Sequence, residues 1–204
     1  MNWRRLIPLS VTLGLGAALA ADVSSAQSTP SAAIQGLCDS LIAAMKQGPA
    51  LGFAGRRRML EPEIRQALDL PLMTRLAVGP TWRTLAPEQQ AKLVEAFSDY
   101  SIANYANRFS GYSGEHFTVD PSESRLANGD VIVHSALATK DPEPVRLDYL
   151  MRQNGGSWRV IDVYLKGSIS QLAAYRSEFT SVLRQGGAPA LVEMIRKKTA
   201  DLSG

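Results

Sequence analysis

A single cysteine in 204 residues excludes an intramolecular disulfide framework and any metal site built on several thiolates. Only two histidines accompany it, which leaves little material for a zinc enzyme. Glycine and proline, at 16 and 11 residues, are close to average, so collagen-like repeats and wholesale disorder are out. The formal charge of +3, from 22 basic and 19 acidic residues, is too small and too evenly mixed to argue for nucleic acid. No internal repeat or low-complexity tract is visible. What is present is an ordinary globular mixture, 45% hydrophobic and 20% charged, long enough to bury a core within one domain.

The N-terminus stands apart. Arg4 and Arg5 precede an uncharged, mostly apolar run, Leu6–Ala21, which is shorter than the roughly 20 residues a spanning helix needs. Small residues follow at once, in Ala17-Ala18-Leu19-Ala20-Ala21 and again in Ser24-Ser25-Ala26. A basic start, a short apolar stretch and a small-residue exit read as a secretory signal peptide over residues 1–26. Cleavage after Ala26 is preferred, after Ala20 or Ala21 is close behind, and an uncleaved membrane anchor is the alternative. The expected mature chain, residues 27–204, is exported and loses Arg4, Arg5 and Asp22, which lowers the charge of +3 by one. Cys38 shares helical spacing with Ile34, Leu37, Leu41, Ile42 and Met45, so it is expected to pack as a small hydrophobe.

The periodicity then predicts helices, strands and a helical tail: residues 27–110 mainly helical, 111–166 an antiparallel sheet, 167–204 C-terminal helices. Residues 31–47 form an amphipathic helix that stops at Gly48-Pro49, followed by a helical segment 52–67 carrying Arg56-Arg57-Arg58. A short helix runs from Pro71 to Val78 and breaks at Gly79-Pro80. The strongest helix starts at Pro87, runs from Glu88 to Phe109, and has inward candidates Leu93, Phe97, Tyr100 or Ser101, and Asn104 or Tyr105. Strands follow at 116–120, 131–139, 145–152 and 158–165, with turns at Asn128-Gly129-Asp130, Asp141–Pro144 and Asn154–Gly156. Helices at 171–184 and 189–199 are separated by Gly186-Gly187. Sequential strands joined by short turns make an antiparallel sheet. The last strand sets Trp158, Val160 and Tyr164 against Ile161, Val163 and Leu165, so neither face belongs simply in water. One face can pack on a helix while the other lines a cavity.

These segments resemble a known family. Pro144–Tyr149, Trp158–Val163, Gly167–Ser170 and Tyr175–Phe179 look like the MlaC family of periplasmic lipid-binding proteins, also called toluene-tolerance auxiliary components. Ala77-Val78-Gly79, Trp82-Arg83, Leu85–Gln90 and the aromatic helix to Phe109 agree with it, and the likeness spans residues 34–198. The chain departs mildly, with Ser168-Ile169 where Val-Ser is common and Ala86 where Thr is usual. It is also similar to the hopanoid-associated branch, HpnM. The resemblance implies an α+β fold with a nuclear-transport-factor-like curved antiparallel sheet packed by helices, an additional helical lobe, and an enclosed apolar cavity. It implies no enzymatic activity, no cofactor beyond a bound lipid as cargo, and a monomer in the periplasm. The guest would be a phospholipid or hopanoid-like amphiphile. The partners would be an inner-membrane lipid transporter complex and an outer-membrane complex.

Elementary energetics supply a reason for such a carrier. A lipid with about 30 chain carbons costs roughly 24 kcal/mol to expose to water at about 0.8 kcal/mol per methylene. Candidate cavity residues are Leu72, Leu76, Phe97, Tyr100, Val133, Leu147, Tyr149, Met151, Ile161 and Val163; each is equally suited to ordinary core. Arg56, Arg57, Arg58 and Arg176 are candidates for a head group or an acidic partner, with a solvated face, or for Arg176 an ion pair to Glu178 or Asp162, as the plainer alternative. A cavity enzyme of isomerase or dehydratase type would instead use His134, Asp148 or Asp162 turned inward. A non-carrier periplasmic adaptor is the third class.

Overall fold

Thr29, itself extended, caps the first helix: its hydroxyl accepts the Ala32 amide at 3.2 Å, while Pro30 pre-sets the first helical turn. From there the chain is α1, Pro30–Ala67. The computed structural model describes residues 29–203; the expected signal peptide, 1–26, lies outside them. Sequence places a stop at Gly48-Pro49, but the helix passes through and bends at Gly52 instead, with φ 61° and ψ −177°. Gly48 serves close approach: a Cβ there would lie 2.1 Å from the Ser110 carbonyl oxygen.

The remaining helices have legible ends. α2, Leu70–Val78, is capped by Asp69, whose carboxylate accepts the Leu72 amide at 3.0 Å, and it ends at Gly79 with φ 72°. A 3-10 turn, Gly79–Thr84, leads to α3, Pro87–Arg108. Gln89 of α3 reaches back to accept the Ala86 amide at 3.0 Å. The final helix, α4, spans Gln171–Asp201 with Ser170 as N-cap. The expected gap between two C-terminal helices is a bend at Gly187, φ 67°.

Between α3 and α4 lie β1 (His116–Arg125), β2 (Val131–Ala138), β3 (Val145–Asn154), β4 (Ser157–Leu165) and the two-residue β5 (Ile169–Ser170). They form one antiparallel sheet in sequence order. The α+β class and the antiparallel sheet are as expected. Two bulges depart from simple alternation. On β1 the register slips between Val119 and Glu123, around Pro121. On β4, Leu150 pairs with Asp162 but Met151 pairs with Val160, leaving Ile161 as the extra residue. That bulge moves Val160 onto the face of Val163 and Leu165, against the expected alternation.

The helices cover one side. α1 packs on β1, β2 and β4, α3 packs on α1 and α4, and α2 packs on α3 and α4. Apolar side chains of α1 (Ile34, Leu37, Leu41, Ile64), α3 (Leu93, Phe97) and the sheet (Val131, Val133, Met151, Val160) belong to one contiguous cluster.

Candidate functional site: an apolar cavity between sheet and helices

Alternation puts Val145, Leu147, Tyr149 and Met151 of β3 on the helix-covered face, with Leu137, Ser135, Val133 and Val131 of β2 beside them in register. Leu165, Val163 and Val160 of β4 flank them on the other side. Past Tyr149 the face is filled: Val131, Val133, Met151 and Val160 are all fully buried. On the Leu147 side it is hollow. Leu137, Val145, Leu147, Tyr149, Val163 and Leu165 bound a cavity of about 260 Å³. The opposite wall is one stripe of α3, Phe97, Ser101, Tyr105 and Phe109, four residues apart and therefore on one helical face. Leu68, Met73 and Tyr175 close it, and Asn104, Arg108 and Gln171 bring polar groups to it.

The aromatic wall is braced edge to face. Phe97 meets Tyr175 at 5.3 Å and Phe179 at 5.9 Å between ring centroids, near 90° in each case. Such pairs hold their rings in place beyond simple area burial. The polar atoms of the lining are neutral or already engaged. Ser101 donates its hydroxyl to the Phe97 carbonyl at 2.8 Å. Burial pushes the Tyr105 phenol up to about 12 and those of Tyr149 and Tyr175 well above their usual value. Cys38, adjacent to Tyr149, is pushed by burial to about 12 and stays a thiol. Arg108, exposed, is the one charged residue of the lining; its Nε donates to Asn104 Oδ1 at 3.0 Å. The site is a mainly apolar hollow with a cation on its border.

The family model described as MlaC protein matches residues 35–197. This chain belongs to the MlaC family. A solved structure of a phospholipid-binding protein from Ralstonia solanacearum, in complex with a phospholipid, superposes with a TM-score of 0.76. The two are 24% identical, and the match covers 87% of this chain and 100% of the other. At that identity the likeness is one of fold. No curated protein matches this sequence.

For this MlaC-family chain, Phe97, Leu147, Tyr149 and Val163 of the expected residues line the hollow. Val133 and Met151 lie on the right face but at its packed end. Ile161 is the bulge residue, buried at 3% exposure. Tyr100 stands behind the wall, its ring 6.0 Å from that of Tyr175. Leu72 sits in the first turn of α2 and Leu76 borders a different, outward groove. Ser101 and Tyr105, which the helical period offers as inward alternatives, and Phe109 stand outside the expected cavity set, although their spacing of four from Phe97 puts them on its stripe. Arg108 stands outside that set too, since only the fold brings it to the cavity.

The expected head-group arginines mostly serve the fold. Arg56 is buried and donates from Nε to the Ala106 carbonyl at 2.8 Å and from Nη1 to the Gly48 carbonyl at 3.0 Å. It thereby satisfies an orphan acceptor in the last turn of α3. Arg57 pairs with Asp99 at 3.2 Å, and Arg58 is exposed away from the cavity lining. Arg176 caps α2 by donating twice to the Leu76 carbonyl, at 2.9 and 2.7 Å. It pairs with neither Glu178 nor Asp162, since Lys198 holds Glu178 and Asp162 accepts Ser170 Oγ at 2.5 Å and the Leu172 amide at 3.0 Å.

The residues of the enzyme alternative do not enter the cavity. His134 and Asp148 are on the other face of the sheet, alternate to Val133 and Tyr149. There Ser124 Oγ lies 3.0 Å from His134 Nε2, and His134 Nδ1 lies 3.0 Å from Asp148 Oδ1. The order of groups is that of a nucleophile, base and orienting acid. Both Asp148 oxygens, however, accept from Arg146, at 3.1 and 2.8 Å, and the sheet itself separates all three from the hollow.

Proposed function

We propose that this protein is a periplasmic lipid carrier, exported by its N-terminal segment, that holds acyl chain in the cavity between β2–β4 and α3. It passes a phospholipid or hopanoid-like amphiphile between an inner-membrane transporter complex and an outer-membrane complex. The observation that carries this reading is the mainly apolar lining, with a cation at its border, in a member of the MlaC family. The phospholipid complex of the Ralstonia protein, which shares the fold, supports it. Catalysis is not required. Moving about ten methylenes from water into such a lining returns about 8 kcal/mol, enough for a guest to reside without a covalent bond.

Size sets what enters. The hollow, about 260 Å³, exceeds the ~150 Å³ that holds one benzene but falls below the about 300–1,000 Å³ of sites that engulf drug-sized ligands. It takes the distal part of one chain as it stands; a second chain requires the sheet and α3 to part. Native mass spectrometry of protein purified from a bacterial periplasm, with organic extraction of the same sample, tests the reading. Stoichiometric lipid that disappears in Val163→Arg, with the melting curve kept, is the expected result. A lipid-free protein that also ignores phosphatidylglycerol vesicles would overturn it.

A further inference from the structure

Several arginines of this molecule are compensated where they stand. Arg57 meets Asp99 at 3.2 Å, Arg65 meets Glu61 at 2.8 Å, Arg146 meets Asp148 at 2.8 Å, and Arg152 meets Asp130 at 2.6 Å. One surface gathers several that are not. Arg75 of α2, Arg83 of the 3-10 turn and Arg176 of α4 line one groove with Leu76 and Trp82. Arg176 also lines the adjoining groove along α4, which ends at Arg184. Neither groove has an acidic residue in its lining, and none of these arginines has a carboxylate within 4.0 Å among the described residues. All are exposed. Gathering like charges works against the compact state, and only Arg176 has a role in the fold, as the α2 cap.

We propose that the surface formed by Arg75, Arg83, Arg176 and Arg184 docks an extended acidic segment of a partner protein beside the cavity. Guanidinium groups are planar forks that match carboxylates two bonds at a time, and these come from three elements that line two grooves sharing Arg176. Trp82, half-buried in the wall, offers an apolar surface for a side chain between carboxylates. The shape selects protein over membrane. The cations line a recess, whereas the exposed large hydrophobics, Tyr112, Leu126 and Ile169, which a bilayer surface would recruit, all lie outside it.

The location gives the docking a use. α4 faces the cavity through Gln171 and Tyr175 and the groove through Ala173, Arg176 and Ser177. α2 does the same with Met73 on one side and Arg75 and Leu76 on the other. A partner seated in the groove grips two helices that wall the hollow. That use rests on the carrier reading; the groove's ligand class does not.

The test is fluorescence anisotropy with a fluorescein-labelled octaglutamate peptide, at low and at physiological salt, on the full mature protein. Wild type is expected to bind, more weakly as salt rises. The triple variant R75E/R83E/R184E, which leaves the Arg176 cap in place, is expected to lose at least tenfold in affinity with an unchanged melting temperature. K140E/K166E, outside the groove, is expected to bind as wild type does. Equal peptide binding by wild type and the triple variant overturns the proposal. So does a wild type that ignores the peptide but sediments with phosphatidylglycerol vesicles through these arginines. Native mass spectrometry separates this from the cargo: a lipid-free protein that binds peptide through the groove removes the carrier reading alone.

Discussion

The two ends of one sheet face differ in a way their sequences do not announce. Toward Met151, the side chains of β2, β3 and β4 are sealed against the helices; toward Leu147, side chains of the same kinds border a void. Tyr149 divides the two. Apolar alternation therefore states which face turns from water, while the position along the strand decides between packing and hollow. That second choice is made at long range, by where α1 seats on the sheet and by how the α3 stripe stands off from β3.

The sharpest way to break this contrast is a pair of truncations. Met151→Ala at the sealed end is expected to cost about 2–5 kcal/mol, as for other buried Met or Leu side chains. Leu147→Ala, which only enlarges an existing void, is expected to cost about 1 kcal/mol. Urea unfolding measures both, and equal losses would mean that the hollow is not one. Arg56→Met should come next, at about 2 kcal/mol, because two buried carbonyls, those of Gly48 and Ala106, lose their donor.

Filling the open end should separate stability from loading. Leu147→Trp is expected to change unfolding free energy by no more than about 1 kcal/mol, since there is room for the ring, while lipid recovered on extraction falls severalfold. The same substitution at a packed site would do the reverse. The smallest effect concerns acid. Two hydrogen bonds from Arg152, at 2.8 and 2.6 Å, hold the Asp130 carboxyl below its ordinary value, with burial opposing. The folded value is the lower one, so this stabilisation is full above the unfolded carboxylate range near about 4 and is lost as pH falls through the folded value. Melting temperatures between pH 5 and pH 2 should therefore fall more steeply for wild type than for Asp130→Asn.

Much of the fold could be read in advance because its signals are local. The caps, the glycine and proline breaks, and the change of period after Phe109 sit within a few residues of what they control. α2, α3 and the strands from Val131 onward accordingly begin and end close to their expected bounds. Of the candidate cavity residues, local pattern and hollow coincide at Phe97, Leu147, Tyr149 and Val163. Between Tyr100 and Ser101 the apolar signal favours the tyrosine, and it is the serine that lines the hollow. Val133 and Met151 fall at the packed end, which nothing on their own strands marks. Ile161 failed for a different reason: no residue type betrays a bulge there. Arg56 looked like one of three surface cations, and its acceptors are 8 and 50 residues away in the chain.

The sheet's borders carry a consequence for a protein that must keep an oily interior in dilute solution. β1 is interrupted at the bulge around Pro121; on the other side β4 is bulged at Ile161, gives its Val160 carbonyl to the Asp69 amide, and has Tyr164 and Leu165 covered by β5. Neither offers the straight, unpaired ladder that invites another chain to add a strand. The molecule can thus hold an unfilled greasy space in its middle without its rim becoming a template for fibrous growth.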